Sequence, residues 1–198
     1  MSIKRFSTGS ISSPTPKNSK LWDQETFPGT FESIASAVVD ASGASSIVFS
    51  NIPQNYTHLQ IRMLSRDSRV TANSDSSMRF NADTAANYSD HYIAGDGGTA
   101  NSGASTGVTN MNIGNQPALN TTASVFGSRV IDILDYASTN KYKTMRCLSG
   151  YDSNGSGWVI FFSGSWRNTD AITSITFTPL VSPYVQNSTF SLYGIRGA

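Results

Sequence analysis

The sequence predicts an all-β fold: an antiparallel β-sandwich, jelly-roll-like, preceded by an extended N-terminal arm. Three observations predict it. Apolar residues recur with period two over many short runs, the strand signature. Clusters of Ser, Asn, Asp and Gly, which favour turns, separate those runs at short intervals. No long run has helical periodicity, and Glu25 and Glu32 are the only glutamates, so nearly all the acids are turn-favouring aspartates. At 198 residues the chain suits one domain, residues 31–198, with residues 1–30 appended to it.

Residues 1–30 differ from all that follows. Lys4, Arg5, Lys17 and Lys20 precede the first acid, Asp23, and Pro14, Pro16 and Pro28 interrupt any regular helix. Large apolar residues (Ile3, Phe6, Ile11, Leu21, Trp22, Phe27) are spaced like anchors along an extended arm. Such a segment buries too little surface on itself to offset its ordering entropy, so it is expected to order against a partner. Lys4, Arg5, Phe6, Trp22 and Phe27 are its expected docking contacts, the cations for an acidic surface and the aromatics for pockets. A basic, acid-poor start is also found in organellar transit peptides, but the prolines and the lack of an amphipathic helix argue against that reading.

The domain opens with a strand from Phe31 to Val39, a turn at 41–44 and a strand at 46–49. Along 57–64, Leu59, Ile61 and Met63 alternate with His58, Gln60 and Arg62, which predicts one wet face. Residues 65–77 read as a mobile polar loop, 78–80 as a short strand and 88–93 as another. Gly95–Asn110 reads as a flexible loop by composition. Alternation resumes at 108–113, and 115–122 is again a loop.

The densest apolar stretch is 129–179, expected to be a four-strand antiparallel meander. Val130, Leu134 and Tyr136 oppose Ile131 and Ile133, while Trp158, Ile160, Phe162 and Trp166 oppose Val159 and Phe161. Both faces are thus apolar, as in central strands covered on two sides. Turn clusters at 137–140 and 152–157 separate its members, and the last, 172–178, stops at Pro179, which cannot donate to a ladder. A strand at 188–195 closes the domain, giving about nine or ten strands, a sandwich number.

Composition narrows the function. Charged residues are 14% of the chain and the net charge is +1, without the basic stripe of a nucleic-acid binder, so no specific nucleic-acid partner is expected. No apolar run is long enough for a helical membrane span, and residues 1–20 lack a secretory signal's apolar core, so neither a membrane partner nor signal-directed export is expected. The single cysteine, Cys147, forbids an intrachain disulfide and fits folding in a reducing cytosol.

Candidate chemistry is sparse. Asp132 and Asp135 suggest the carboxylate pair of a glycosidase, yet three residues apart on a strand they face opposite sides. Asp135 suits turn capping instead. His58, His91, Asp90 and Cys147 have no zinc-ligand spacing, and Cys147, on a strand, reads as core. The 81–83 and 152–157 loops offer oxygens for calcium, but neither has the bidentate glutamate of an EF-hand loop, and turn chemistry accounts for both. Gly-rich 95–107 lacks the P-loop lysine. No catalytic, cofactor or metal residue is assigned. Tyr56, Tyr88, Tyr92, Tyr151, Trp166 and Tyr184 lie near strand ends or loops, where they could stack on sugar rings or seal a subunit interface.

Several phrases together carry a resemblance: Phe31-Glu-Ser-Ile-Ala, Ile52-Pro-Gln-Asn-Tyr-Thr-His-Leu-Gln-Ile-Arg62, Arg79-Phe-Asn-Ala-Asp83, Asn87-Tyr-Ser-Asp-His-Tyr92, Asp132-Ile-Leu-Asp-Tyr136 with Asn140-Lys-Tyr-Lys-Thr144, and Leu192-Tyr-Gly-Ile195. In these the chain, over most of 31–195, resembles small virion-associated structural proteins of tailed phages of marine bacteria, cyanophages and their relatives. The resemblance implies a non-enzymatic virion protein made in the host cytoplasm, in head decoration or in the tail or fibre. Members differ most in their N-terminal segment, so residues 1–30 are expected to join this domain to other virion proteins. The apolar faces and low charge lead us to expect a homo-oligomer, with a trimer favoured. A glycan-binding module for the host surface is the alternative.

Overall fold

The computed structural model describes residues 30–196, and the proposed arm contacts Lys4, Arg5, Phe6, Trp22 and Phe27 lie outside them. The described residues form twelve strands and no helix. In chain order these are β1 (Phe31–Val38), β2 (Ile47–Phe49), β3 (His58–Ser65) and β4 (Asn73–Phe80). Next come β5 (Tyr88–Gly95), β6 (Ala100–Val108), β7 (Met111–Pro117) and β8 (Gly127–Leu134). The last four are β9 (Lys143–Asp152), β10 (Gly157–Trp166), β11 (Ile175–Pro179) and β12 (Thr189–Ile195).

They build a sandwich of two antiparallel sheets. The larger has eight strands in the order β1-β12-β3-β8-β9-β10-β5-β6, and the smaller has β2-β11-β4-β7. Every connection crosses between sheets except β5–β6, β8–β9 and β9–β10, which is the jelly-roll-like habit. The core is where the alternation places it: Leu59, Ile61, Ile131, Ile133, Ile160 and Phe162 from the large sheet meet Met78, Phe80, Met111, Ile113, Ile175 and Phe177 from the small one.

Four local expectations are corrected. The 129–179 meander holds for β8, β9 and β10, but its fourth member, β11, leaves for the small sheet and pairs with β2 and β4. The supposed loop 65–77 is half strand: β4 begins at Asn73, and Ser65, Arg66 and Asp67 are buried. Alternation is present there, but Ser74 and Ser76 fill the inward positions before Met78, so hydropathy does not register it. The supposed flexible loop 95–110 contains β6, and the turn at 109–110 splits the run assigned to one strand at 108–113. As an edge strand β6 needs only backbone pairing with β5, so its composition is nearly all small and polar. Gly103 sits where a Cβ would lie 2.7 Å from the Tyr92 ring.

The fourth correction concerns cover. Only one face of β8 and β10 is buried among the described residues; Val130 and Leu134, expected inside a two-sided layer, are exposed, as are Val159 and Phe161. Tyr136 turns inward because Asp135 adopts φ 48°, which reverses the chain direction after β8.

A buried polar network ties the sheets together. The Arg129 guanidinium donates to Ile113 O (2.9 Å), Gly114 O (2.7 Å) and Ser65 Oγ (2.6 Å). Ser65 donates to Gln116 Oε1 (2.6 Å), and Gln116 Nε2 donates to the buried Asp67 carboxylate (3.1 Å). Arg66 donates to four carbonyls, those of Leu119, Thr121, Thr122 and Val125, and so shapes the loop after β7. Gly114 is the pivot, with φ +93° and a position where a Cβ would collide with Ser149 Oγ. Gly114→Ala is therefore expected to cost about 2–4 kcal/mol, read as a lower denaturant midpoint.

Candidate binding cleft and exposed sheet face

β7, the last strand of the small sheet, packs across β8, β9, β10 and β5. The large sheet continues past it through β6. Beside β7 a cleft opens, lined by residues of β5, β9 and β10 and by Asn112 and Asn115 of β7 itself. Trp158 and Tyr151 are cross-strand neighbours on β10 and β9, while Tyr92 on β5 pairs with Phe162 and tilts against its ring at 5.3 Å. Trp158, Tyr151 and Tyr92 are all half-buried, apolar at the root and open at the rim.

Two hollows share Trp158 as a wall. One, of about 330 Å³, is lined by Tyr92, Trp158 and Phe162 together with Asp75, Asn101, Asn112 and Asn115. The other, of about 370 Å³, is lined by Tyr151 and Trp158 with Asn73, Asp96, Asn120 and Thr121. Both fall in the size range of small-molecule sites, with aromatic walls and a few polar groups. No Lys or Arg lines either one among the described residues.

Two acids mark the cleft differently. Asp96 is committed to its own turn, accepting from Thr99 N (2.6 Å) and Gly98 N (2.9 Å), and these bonds hold its carboxyl below the usual range. Burial pushes the Asp75 carboxyl upward, and the charges of Arg129 and Arg69 only partly offset this. A carboxylate raised this way opposes folding once ionised, so its penalty appears as pH rises through the folded pKa. Asp75→Asn is therefore expected to stabilise the protein at neutral pH and to leave it unchanged at pH 3, where the wild-type carboxyl is also neutral. Thermal unfolding of both proteins across that pH range checks this.

The other aromatics proposed for stacking go elsewhere. Tyr88, Trp166 and Tyr184 are fully buried, contrary to the expectation that they rim loops, and each polar tip is satisfied inside. Trp166 Nε1 donates to Asp83 (2.7 Å). The Tyr88 hydroxyl lies within reach of the Phe80 and Asp83 carbonyls, and that of Tyr184 pairs with Ser76 Oγ (3.3 Å). Desolvation lifts both phenols to about 12. Tyr56 donates to Glu32 (2.7 Å) while Arg196 lies 4.8 Å over its ring, a clamp joining β1 to the end of β12.

The acids, thiol and loops weighed for catalysis are likewise engaged. Asp132 accepts from Gln60 (2.9 Å) and pairs with Arg146, whereas the Asp135 carboxylate pairs with Lys141 and its backbone N–H donates to His58 Nδ1 (3.0 Å). Cys147 is buried, and desolvation raises its thiol to about 12. Asp152 accepts from Asn154 N and Gly155 N in the β9–β10 turn, and Asn81 accepts from Thr173 N and Ser174 N. No group of three or more His, Cys, Asp or Glu side chains converges among the described residues.

On the opposite side of the large sheet lies a second feature. One register row runs Arg62–Val130–Leu148–Phe161–Ile93–Ser102 across β3, β8, β9, β10, β5 and β6. Its four central members are exposed: Val130 38%, Leu148 54%, Phe161 41% and Ile93 63%. Val159 extends the apolar surface to one side of the row, and the next row on the other side is polar: Gln60–Asp132–Arg146–Ser163–His91. Shallow depressions flank Ile93 because β6 offers only small side chains beside it.

The missed residues of the cleft had no sequence signal. Trp158 obeys the core alternation of β10 and leaves the core only because the opposing sheet ends before it. Comparison with known proteins adds no name: no family model, curated protein or solved structure matches this chain.

Proposed function

We propose that this protein is a non-enzymatic structural component of a tailed-phage virion that assembles with copies of itself through the outer face of its large sheet. The Val130–Leu148–Phe161–Ile93 row carries the reading. Four strands at about 4.8 Å spacing each give one residue to the row, which is about 7 Å deep along the strands, so the strip covers roughly 130 Å² before Val159 widens it. A standard interface buries about 800 Å² per partner, so this strip would supply the apolar centre of one and the flanking polar rows the remainder. The adjoining Asp132 and Arg146 would form a polar rim of mixed sign that a second copy can complement.

The phrase-level resemblance to virion proteins supports the same reading. A closed homo-oligomer, with a trimer favoured, is the expected state. Residues 1–30 serve as the docking arm to other virion proteins. Deleting residues 1–28 is expected to leave a folded domain that no longer joins particles; normal incorporation of the truncated protein would refute the arm. One observation, the Trp158 cleft, favours the glycan-binding alternative, and the two roles are compatible.

A further inference from the structure

We propose that the cleft walled by Trp158 binds a neutral oligosaccharide. The inference deepens the glycan-binding alternative and does not depend on the virion reading. A pyranose ring has a face of C–H groups and a rim of hydroxyls, so its site needs a flat aromatic wall and polar groups at the edge. Trp158 supplies the wall at the junction of the two hollows, with Tyr151 in one and Tyr92 in the other. Asn112, Asn115 and Asp75 supply the edge. Each amide both donates and accepts, which matches hydroxyl pairs, and a carboxylate accepts two hydroxyl protons.

The polar edge is not used up internally. Asn112 spends its carbonyl oxygen on Gly114 N (2.8 Å), leaving its NH₂ to face the cleft. Among the described residues no side-chain hydrogen bond is formed by Asn115 or by the Asp75 carboxylate, which burial also strips of water. A half-desolvated acceptor of this kind gains most from a ligand hydroxyl. The charge decides the ligand class. With no Lys or Arg in the lining and two aspartates present, sulfated or uronic-acid sugars and phosphate-bearing single strands are disfavoured, although a base could stack on the same wall. The lining thus selects against anionic sugars, and its amide-rich edge suits the hydroxyls of a neutral one.

The test uses the full chain on an array of neutral and acidic microbial glycans, with the best ligand titrated calorimetrically. Saturable binding to a neutral pyranose oligosaccharide is expected. Trp158→Ala should weaken it about tenfold or more, the loss expected of one aromatic platform, and Trp158→Phe should restore much of it. Asp75→Asn should weaken binding while preserving the fold, which separates loss of contact from loss of structure. Val38→Ala, exposed on β1 at the opposite edge of the large sheet, should leave affinity unchanged. Binding confined to acidic glycans, no binding to any neutral glycan, or affinity indifferent to Trp158→Ala would each overturn the proposal. A failure here leaves the oligomeric state untouched, so it is distinguishable from failure of the virion reading.

Discussion

Arg129→Ala is expected to lower folding stability by about 3–5 kcal/mol. The guanidinium is buried and donates to two β7 carbonyls and to Ser65, so its removal leaves three acceptors in the interior without their donor. It would also open a void between the sheets. Arg129→Lys should recover only part of this, since an ammonium lacks the planar fork that reaches Ile113 and Gly114 together. Because those carbonyls belong to the strand that forms one wall of the cleft, partial loss should appear first as faster amide exchange in β7. Urea unfolding of the three proteins measures the series, and a loss below about 1 kcal/mol for Arg129→Ala would show that the network is dispensable.

The double substitution Leu148→Glu with Phe161→Glu is expected to convert the proposed oligomer to monomer with little change in fold. The two residues are cross-strand partners on the outer face, so two carboxylates there would meet their symmetry mates across a drying interface. In the monomer both positions are solvated, and substitutions of that kind usually shift stability by less than about 1 kcal/mol. Phe162→Glu, one residue along and facing the core, is the contrasting case and should prevent folding. An unchanged oligomer in the double variant would move the interface elsewhere.

The sandwich was legible because its core obeys period two. Leu59, Ile61 and Met63 point inward as their alternation requires, and the Asn154-Gly155 pair makes the β9–β10 turn with both residues at positive φ. What hid from the sequence was strand without hydrophobicity. β6 is built almost wholly of small and polar residues, and the inward positions of β4 before Met78 are the short Ser74 and Ser76, of which Ser76 pairs with the Tyr184 hydroxyl. The two-sided apolar character of β8 and β10 was read correctly as residues but not as cover: the second face has none among the described residues. The candidate cleft was half legible. Tyr92 and Tyr151 were singled out, yet Tyr88, Trp166 and Tyr184 have the same residue types and sequence settings and are core. The difference lies in where the smaller sheet stops, a three-dimensional boundary that β10's own alternation does not record.

Sedimentation equilibrium of the full chain over a range of concentrations is the most direct test of assembly through the outer sheet face. The prediction is a closed oligomer of fixed stoichiometry, about three times the 21.2 kDa chain, that persists into the low-micromolar range. A single species of 21.2 kDa at every concentration would contradict it.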